Sequence, residues 1–437
     1  MVETNKVTFE NIIGYEEEKK EILEIREYIL EYKKYEEIGA RVPKGILLLG
    51  ESGNGKTLMI KALANELNIP LFKIGQDEDE NENLLYIRKI FKEARQKAPA
   101  IIFIDEIDKL CAEDDLYSLT QRESNVTREL LMQMDGFESN KSLIVIATAN
   151  SVAKINPSLL RSGRFDKVIN FRYPNYEERK QLFQYYSKQK KLSINIDFDR
   201  LAKVTSGFSC ADIDNVLNDA AILAVRNKIN EVDTSDVETA IDRLTTNSAT
   251  ISTLSDEEKK KIAIHEIGHA IVAMNINDNR NVHKISIVSR GQILGQTKII
   301  SPNEYEVFGL TTKESMMNKI KILYGGLIAE ELYLKDITTG SSRDIEMARY
   351  TVEVMVKKFG MVGVINSVDS SMRLKNNISQ HKIRKIEKIQ DKILKKCYKE
   401  TKKIIKKHKE IFNKLYQKLI VTNVLFKEDI EQIINYK

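Results

Sequence analysis

The 437-residue chain lacks long hydrophobic runs. A transmembrane helix needs roughly 20 consecutive apolar residues, and no uncharged apolar run in this sequence approaches that length. The start of the chain also lacks the short apolar stretch that is typical of a secretory signal peptide. We therefore expect a soluble, cytoplasmic protein.

Cysteine is also scarce, with only Cys111, Cys210 and Cys397 in the chain. Their spacing matches neither a disulfide framework nor a cysteine-based metal site, so we expect reduced thiols in a reducing compartment.

Hydrophobic residues make up 42% of the sequence and charged residues 30%. At this length, such a composition predicts two or three globular domains with real cores.

Positive charge is concentrated at the C-terminus. Residues 372–437 carry 19 Lys and Arg against 7 Asp and Glu, although the whole chain has a net charge of only +5. Within this tail, residues 379–420 show apolar positions at helical spacing, which predicts a helical bundle with a solvated basic surface. The alternative is attraction to an anionic membrane surface. The tail lacks an aromatic-rich motif or a recognition helix, so no nucleic acid is expected as a partner.

A phosphate-binding motif lies in the first third of the chain. The apolar run Gly45–Leu49 predicts a buried parallel strand. It leads into GESGNGKT at 50–57, in which backbone N–H groups surround phosphates, Lys56 reaches the β- and γ-phosphates and Thr57 reaches Mg²⁺. The nucleotide-binding residues predicted here are Gly50, Ser52, Gly53, Asn54, Gly55, Lys56, Thr57 and Leu58.

Two further apolar runs end in polar residues. AIIFI at 100–104 is followed by Asp105 and Glu106, a pattern in which the first carboxylate holds Mg²⁺ through water and the second orients the attacking water. LIVIA at 143–147 ends near Asn150, where a polar side chain can sense the γ-phosphate. Because these strands alternate with helical segments, we predict a doubly wound α/β sheet with phosphates at the strand ends.

Arg161 and Arg164 follow in the sequence LLRSGRFD. They are either ordinary surface charges or arginine fingers that reach the ATP of a neighbouring subunit and stabilise charge in the transition state.

The second chemical motif is HEIGH at 265–269. On a helix, His265 and His269 lie one turn apart on one face, so both can bind one Zn²⁺ while Glu266 takes a proton from a metal-activated water. Ser255 and the acidic residues after it predict the start of that helix.

A catalytic zinc site needs a third protein ligand and an open position for water. The residues themselves leave this ligand open. Glu330 and Glu331 lie on a predicted helix, and Asp344 lies at a predicted helix start after Thr339 and Gly340. His283 is a further candidate, but it lies in a strand-like run, which favours a structural role.

The order of these motifs resembles that of AAA+ ATPases, and the segments VTFENIIGYEEEKKEI and SGFSCADIDNVLNDAAILA resemble the FtsH branch. In that family, residues near the nucleotide match Ile13, Gly14 and Ala211, and trans-acting arginines match Arg161 and Arg164. The resemblance therefore implies a ring, which is a hexamer in this branch.

The resemblance continues to the C-terminus through HEIGHAIVA, VHKISIVSRG, YGGLIAEELYL and TTGSSRDIEMAR. These segments are similar to those of FtsH-type zinc metalloproteases, in which the aspartate of TGxxxD is the third zinc ligand. That aspartate matches Asp344. The implied cofactors are Zn²⁺, ATP and Mg²⁺.

Three features depart from the family pattern. The family normally begins with one or two transmembrane helices, so we expect no membrane anchor here unless a membrane-anchored relative supplies it. Its aromatic-glycine pore loop is replaced by the shorter, acidic GQDEDENENLLYIRKIF, where Tyr86 is the only nearby aromatic residue and is expected to lie in a helix. Leu327 stands where the family has arginine.

We therefore predict an ATP-dependent zinc endopeptidase that acts on polypeptides as a homo-hexamer. One alternative is an ATP-gated peptidase that cannot unfold folded substrates, and the other is a non-proteolytic remodelling ATPase. The predicted domains are a large nucleotide-binding subdomain (1–172), a small helical lid (173–246), and a mainly helical peptidase domain (247–437) that ends in basic helices from about 379.

Overall fold

The computed structural model of the chain describes residues 7–75, 80–111, 125–136, 143–194, 196–246, 254–276, 281–289, 293–300, 311–362 and 380–435. Two compact units, residues 1–237 and 238–437, make up the chain. The boundary predicted between the lid and the peptidase, at 246/247, stays a prediction. Within the described ranges, every helix is too short or too polar to traverse a lipid bilayer.

A parallel sheet forms the centre of the first unit. Among the described residues it has five strands in the order β2-β3-β4-β1-β5. The strands are β1 (Gly45–Leu49), β2 (Leu71–Ile74), β3 (Ala100–Ile104), β4 (Leu143–Ala149) and β5 (Phe165–Asn170). Every residue of β3 and β4 is buried, which explains why these strands are continuous apolar runs.

Helices cover this sheet and form the segment that follows it. They are α1 (Glu16–Leu30), α2 (Tyr32–Ile38), α3 (Lys56–Leu67), α4 (Glu80–Gln96), α5 (Ile107–Leu110), α6 (Asn125–Asp135), α7 (Tyr176–Ser187), α8 (Phe198–Val204) and α9 (Cys210–Arg226), and then α10 (Thr234–Thr246), which crosses from the first unit into the second. Four of these helices, α7 to α10, lie in residues 173–246, the segment predicted to be a small helical lid.

The second unit is mainly helical with one small antiparallel sheet. Its helices are α11 (Asp256–Met274), α12 (Lys313–Tyr333), α13 (Ser342–Glu353), α14 (Gln380–Lys407), α15 (Lys409–Thr422) and α16 (Lys427–Asn435). Its strands are β6 (Asn281–Ser286), β7 (Gln296–Ile300) and β8 (Val424–Phe426). The strand order is β7-β6-β8, so β7 forms an edge of the sheet that the structure describes.

The predicted start of α11 is confirmed. The Ser255 side chain accepts a hydrogen bond from the backbone N–H of Glu258, whose carboxylate accepts from the backbone N–H of Ser255. This reciprocal capping satisfies helix donors that would otherwise lack partners. Beyond the first turns nearly all of α11 is buried, from Ala263 to Ala273. The helix that carries the HEIGH motif is therefore a core element.

Helices α11 and α12 touch backbone to backbone. A Cβ atom on Gly268 would lie 2.3 Å from the carbonyl oxygen of Gly325, and a Cβ atom on Gly325 would lie 2.6 Å from the carbonyl oxygen of Gly268. Since any side chain at either position would force the helices apart, these glycines set the spacing of the pair.

The basic tail forms the predicted helices. Helix α14 buries Ile386, Ile393, Cys397 and Ile405 in the core, and α15 buries Phe412, Leu415 and Leu419. Most lysines of α14 lie on the exposed side. The predicted helical bundle with a basic surface is therefore confirmed.

Candidate nucleotide and zinc sites

A cavity of about 540 Å³ lies at the carboxyl ends of β1, β3 and β4. Parallel strands bring their carboxyl ends to one edge of a sheet, which is why the three polar sequence patterns meet here. The predicted residues that line the cavity are Ile13, Ser52, Gly53, Asn54, Gly55, Lys56, Thr57, Leu58, Asp105, Glu106, Asn150 and Ala211. Gly14 and Gly50 lie beside the lining rather than in it.

Lys56 is held at the mouth of the phosphate-binding loop. Its ammonium group donates to the carbonyl oxygens of Gly50 and Glu51, the latter at 2.9 Å, and lies 3.4 Å from Asn150 Oδ1. Burial lowers the pKa of Lys56, while the nearby carboxylates, first Asp108, oppose that shift. Gly50 has a φ of +153°, and a Cβ atom there would lie 2.1 Å from the carbonyl oxygen of Phe171, so only glycine fits.

Asp105 is the hub of the polar network at the end of β3. One carboxylate oxygen accepts from Thr148 Oγ1 at 2.9 Å and from Thr57 Oγ1 at 3.4 Å. The other lies 3.1 Å from the ammonium group of Lys73. A hydroxyl beside a carboxylate offers the hard oxygen ligands that Mg²⁺ prefers. Lys73 and Thr148 were missed in the sequence analysis: Lys73 lies outside the motifs, and Thr148, between the LIVIA run and Asn150, was given no role.

Glu106 follows in a left-handed backbone conformation, with a φ of +52°. Its N–H donates to Thr148 Oγ1 at 2.9 Å, and its carboxylate forms an ion pair with Lys109 at 2.8 Å. Thr148 therefore bridges the two acidic residues: its hydroxyl donates to one and accepts from the other.

The far end of the cavity is lined by residues that sequence reasoning did not single out. They are Tyr15, Leu182, Tyr185, Tyr186, Cys210 and Asp214. The backbone N–H of Ala211 donates to the carbonyl oxygen of Gly53 at 3.1 Å, so the start of α9 contacts the phosphate-binding loop directly. This apolar and aromatic end suits a nucleotide base.

The two predicted arginine fingers differ in their surroundings. Arg164 donates to both carboxylate oxygens of Asp135, at 2.9 and 2.7 Å, and to the carbonyl oxygen of Ser158 at 2.6 Å. Arg161 is exposed, and in the part of the chain that the structure describes it has no ion pair. Neither arginine lines the cavity of its own chain.

In the second unit, His265, His269 and Asp344 come together. The Nε2 atoms of the two histidines lie 2.9 Å apart, and each lies 3.2 Å from Asp344 Oδ2. Among the described residues, this is the one cluster of histidine, cysteine and acidic side chains that could hold a metal ion. Helix α11 supplies both imidazoles from successive turns, and the first turn of α13 supplies the carboxylate.

The donor set fits zinc. Zinc–ligand bonds of about 2.0–2.1 Å in a tetrahedron place ligand atoms about 3.3–3.4 Å apart. The observed separations of 2.9 to 3.2 Å are close to that edge length. Two imidazole nitrogens and one carboxylate oxygen leave a fourth position open, as a catalytic zinc site requires.

Both imidazoles are oriented through their other nitrogen by α12. His265 Nδ1 lies 2.6 Å from Glu330 Oε1, and His269 Nδ1 lies 2.7 Å from the carbonyl oxygen of Ile322. In the neutral form of each ring these acceptors favour a proton on Nδ1, so Nε2 is the nitrogen available to bind a metal, an arrangement that is common around metal-binding histidines.

Glu330 is almost fully buried, with 1% of its surface exposed. It also accepts from the backbone N–H of Thr338 at 2.6 Å and from the hydroxyls of Thr338 and Ser341. Burial raises its pKa, but these hydrogen bonds and His265 outweigh burial and lower it. Glu330 is therefore a charged support for a histidine and lies outside the metal cluster.

Glu331 points elsewhere. Its carboxylate pairs with Lys402 at 2.6 Å and accepts a hydrogen bond from the Tyr398 hydroxyl on α14. His283 is buried on β6, 3.6 Å from Glu238 Oε1, and is likewise not part of the cluster. Of the third-ligand candidates that the sequence left open, the structure brings Asp344 to the histidines.

Hydrogen bonds and opposite charges link the three side chains of the cluster. Burial lowers the pKa of His265, but hydrogen bonds with Asp344 and Glu330 outweigh burial and raise it to about 10. Burial raises the pKa of Asp344, yet the two histidines hold it well below its usual range. Since zinc binds a deprotonated Nε2 atom, metal binding displaces a proton from His265.

A cleft of about 720 Å³ opens beside the cluster. It is lined by Glu266, by the segment Ile293 to Thr297 that includes the start of β7, and by residues of α12 and α13. Gly326 lies flat against the His265 ring, since a Cβ atom there would fall 2.3 Å from Cε1. Strand β7 begins at Gln296, so Ile293 to Gly295 lead directly into this edge strand.

Three family models match the chain. The ATPase family associated with various cellular activities (AAA) matches residues 46–173, the AAA+ lid domain matches residues 195–239, and peptidase family M41 matches residues 252–433. The first two include most of the residues that line the nucleotide cavity, and the third includes the histidine-aspartate cluster.

Similar curated proteins cover nearly the whole chain. ATP-dependent zinc metalloprotease FtsH of Caldicellulosiruptor bescii is 34% identical over 98% of this chain and 72% of its own length. The protein of the same name from Acholeplasma laidlawii is 36% identical over 98% of this chain and 69% of its own length. The one from Ureaplasma parvum is 35% identical over 99% of this chain and 61% of its own length.

Proposed function

The chain belongs to the FtsH family of ATP-dependent zinc metalloproteases, with ATP, Mg²⁺ and Zn²⁺ as cofactors, and we propose that Glu106 and Glu266 drive its two hydrolytic reactions. The observation that supports the peptidase activity is that His265, His269 and Asp344 lie close together in the same cleft as Glu266.

In the peptidase half, His265, His269 and Asp344 hold the metal. Bound zinc acidifies water and polarises the scissile carbonyl group. Glu266 lies in the same cleft, where it accepts the proton of the attacking water and returns a proton to the leaving amine. Glu330 and the Ile322 carbonyl group keep both imidazoles in the required tautomer.

In the ATPase half, the glycine-rich loop and Lys56 bind the phosphates, and Thr57 and Asp105 bind Mg²⁺. Glu106 orients the attacking water, and Asn150, 3.4 Å from Lys56, senses the γ-phosphate. Ile13 and Ala211 line the cavity, and Gly14 lies beside this lining with a φ of +73°, which favours glycine.

The family assembles into oligomers and acts on polypeptides. We assign a homo-hexamer in which the exposed Arg161 completes the ATP site of the next subunit. Arg164 is the second proposed finger, and it would have to leave Asp135 to act in the same way. ATPase activity that rises with protein concentration in the wild type but not in Arg161→Ala tests this assignment.

The exposed lysines of α14 and α15 are the surface that we assign to an anionic surface or a membrane-anchored relative. Salt-sensitive co-sedimentation with anionic vesicles supports the first partner, and its absence counts against it.

The acidic segment at the predicted pore loop, residues 76–79 with the side chains up to 83, lies outside the described residues. Tyr86 lies in α4, as predicted. Neither alternative function is favoured by the comparisons.

The proposal is tested with an unstructured polypeptide such as casein and a stably folded tagged protein. Cleavage of casein requires both ATP and zinc, so a zinc chelator or omission of ATP abolishes it. Glu266→Gln loses proteolysis and keeps ATP hydrolysis, whereas Glu106→Gln keeps ATP binding and loses hydrolysis. Unchanged cleavage by Glu266→Gln would overturn the assignment of the base.

A further inference from the structure

Strand β7 brings one hydroxyl group against the general base. Thr297 Oγ1 lies 2.6 Å from Glu266 Oε2 and 2.9 Å from the Glu266 carbonyl oxygen. The shorter contact has the length of a hydrogen bond from a hydroxyl to an ionised carboxylate, the stronger class of such bonds. Within the described ranges, Thr297 is the hydrogen-bond partner of the Glu266 carboxylate.

The other carboxylate oxygen is left for chemistry. Glu266 lines the cleft beside the metal cluster, and among the described residues its hydrogen bond from Thr297 goes to Oε2 and not to Oε1. Gly295, two residues before Thr297, closes the adjoining side. A Cβ atom on Gly295 would lie 3.0 Å from both Cγ and Oε1 of Glu266 and 2.4 Å from Ile262 Cγ2. One short segment therefore both confines the glutamate and leaves one oxygen available.

The orientation of the Glu266 side chain has a large effect on the rate at which it can remove a proton. A glutamate side chain has three rotatable bonds, and ordering such a flexible chain costs free energy. A general base acts only within hydrogen-bond reach of the proton that it removes. A hydroxyl that holds one oxygen in the ground state removes part of the ordering cost from each turnover.

We propose that Thr297 is a positioning residue for peptide hydrolysis, which holds Glu266 Oε2 so that Oε1 faces the attacking water. This inference rests on the proposed role of Glu266 as the base. Thr297 is not a metal ligand, and it lies on β7 rather than on α11 or α13, which supply the ligands. Its loss should therefore affect turnover and not metal content.

The test uses Thr297→Val and Thr297→Ser in the full chain. Valine keeps the shape and the strand preference of threonine but removes the hydroxyl, whereas serine keeps the hydroxyl. With saturating ATP and an unstructured fluorogenic substrate, we expect kcat of Thr297→Val to fall about 10- to 150-fold, the range for loss of a hydrogen bond to a charged group. KM should stay unchanged, and Thr297→Ser should restore most of kcat.

Zinc per chain, ATPase rate and thermal midpoint are measured on the same samples and should match the wild type. Valine places a methyl group where threonine has its hydroxyl. If Thr297→Val lowers the zinc content or the thermal midpoint, it is replaced in the comparison by Thr297→Ala, which removes the hydroxyl without adding that methyl group. A rise in KM with unchanged kcat, or serine as inactive as valine, would overturn the inference.

The inference and the proposed function fail in different ways. If Glu266→Gln still cleaves the substrate, the assignment of the base is wrong and Thr297 has nothing to position. If Glu266→Gln is inactive while Thr297→Val and Thr297→Ala both work at the wild-type rate, the base stands and only the positioning role is lost.

Discussion

Replacement of Glu330 by glutamine should weaken zinc binding although Glu330 is not a ligand. Its Oε1 pairs with His265 Nδ1 at 2.6 Å, and its Oε2 accepts from the backbone N–H of Thr338 at 2.6 Å. A glutamine has one oxygen for these two donors. In either orientation its amide group faces one of them, donor against donor, so one interaction becomes repulsive.

The size of the effect follows from the bond that is lost. A hydrogen bond that involves a charged group contributes about 1.5–3 kcal/mol, which corresponds to roughly 10- to 150-fold in the zinc dissociation constant. The same range is found for partners of metal-binding histidines in general, about 10- to 100-fold. Because Glu330 is 1% exposed, water cannot replace the lost acceptor.

The neighbouring residue supplies the matched control. Glu331 is on the same turn of α12, but its carboxylate contacts Lys402 and Tyr398 instead of a histidine. Zinc affinity is measured by competition with a chromogenic chelator for the wild type, Glu330→Gln, Glu331→Gln and Asp344→Asn. We expect a moderate loss for Glu330→Gln, no change for Glu331→Gln and the largest loss for Asp344→Asn. Equal affinities for the first two variants would refute the reasoning.

Three further changes have definite expected outcomes. Lys73→Met should lower the Mg²⁺ concentration for half-maximal binding of a fluorescent ATP analogue by at most about fivefold. The reason is that a solvent-accessible ion pair, such as that of Lys73 with Asp105, is worth up to about 1 kcal/mol. An increase in this Mg²⁺ concentration would contradict the prediction. Gly325→Ala should destabilise the protein by about 1–3 kcal/mol in urea unfolding through its clash with Gly268, and wild-type stability would show that the helices can separate freely. Thr148→Val, which breaks the bridge between the two acidic residues after β3, should slow ATP hydrolysis without abolishing ATP binding, and an unaltered rate would remove Thr148 from the site.

The strongest predictions came from motifs whose residues are close in sequence. GESGNGKT and HEIGH each encode a local geometry, a loop before a helix and two side chains one turn apart, so their secondary structure followed from the sequence alone. The strands β1, β3 and β4 are buried on both faces, and their continuous apolar runs made them recognisable.

Elements with a weaker pattern were missed. Strand β5, FDKVIN, alternates buried and exposed residues at the sheet edge, and β2, LFKI, has only four residues. Such short segments give little periodic signal. Their place in the sheet depends on pairing with strands that are distant in sequence.

The support around the zinc cluster could not be predicted for a related reason. Glu330 meets His265 across 65 residues, and Thr297 meets Glu266 across 31. Only the packing of α12 and β7 against α11 creates these contacts. From the residues alone, Glu330, Glu331 and Asp344 were equivalent carboxylates; their different partners distinguish them only in the folded chain.

The glycine contact between α11 and α12 has a consequence for the geometry of the zinc site. Both imidazoles are oriented by α12, through Glu330 and the Ile322 carbonyl group. A substitution that separated the two helices at the Gly268–Gly325 crossing would therefore shift both rings at once, although it removes no metal ligand. The chain would lose cleavage of peptide bonds while its nucleotide cavity, which is built from other residues, stayed intact.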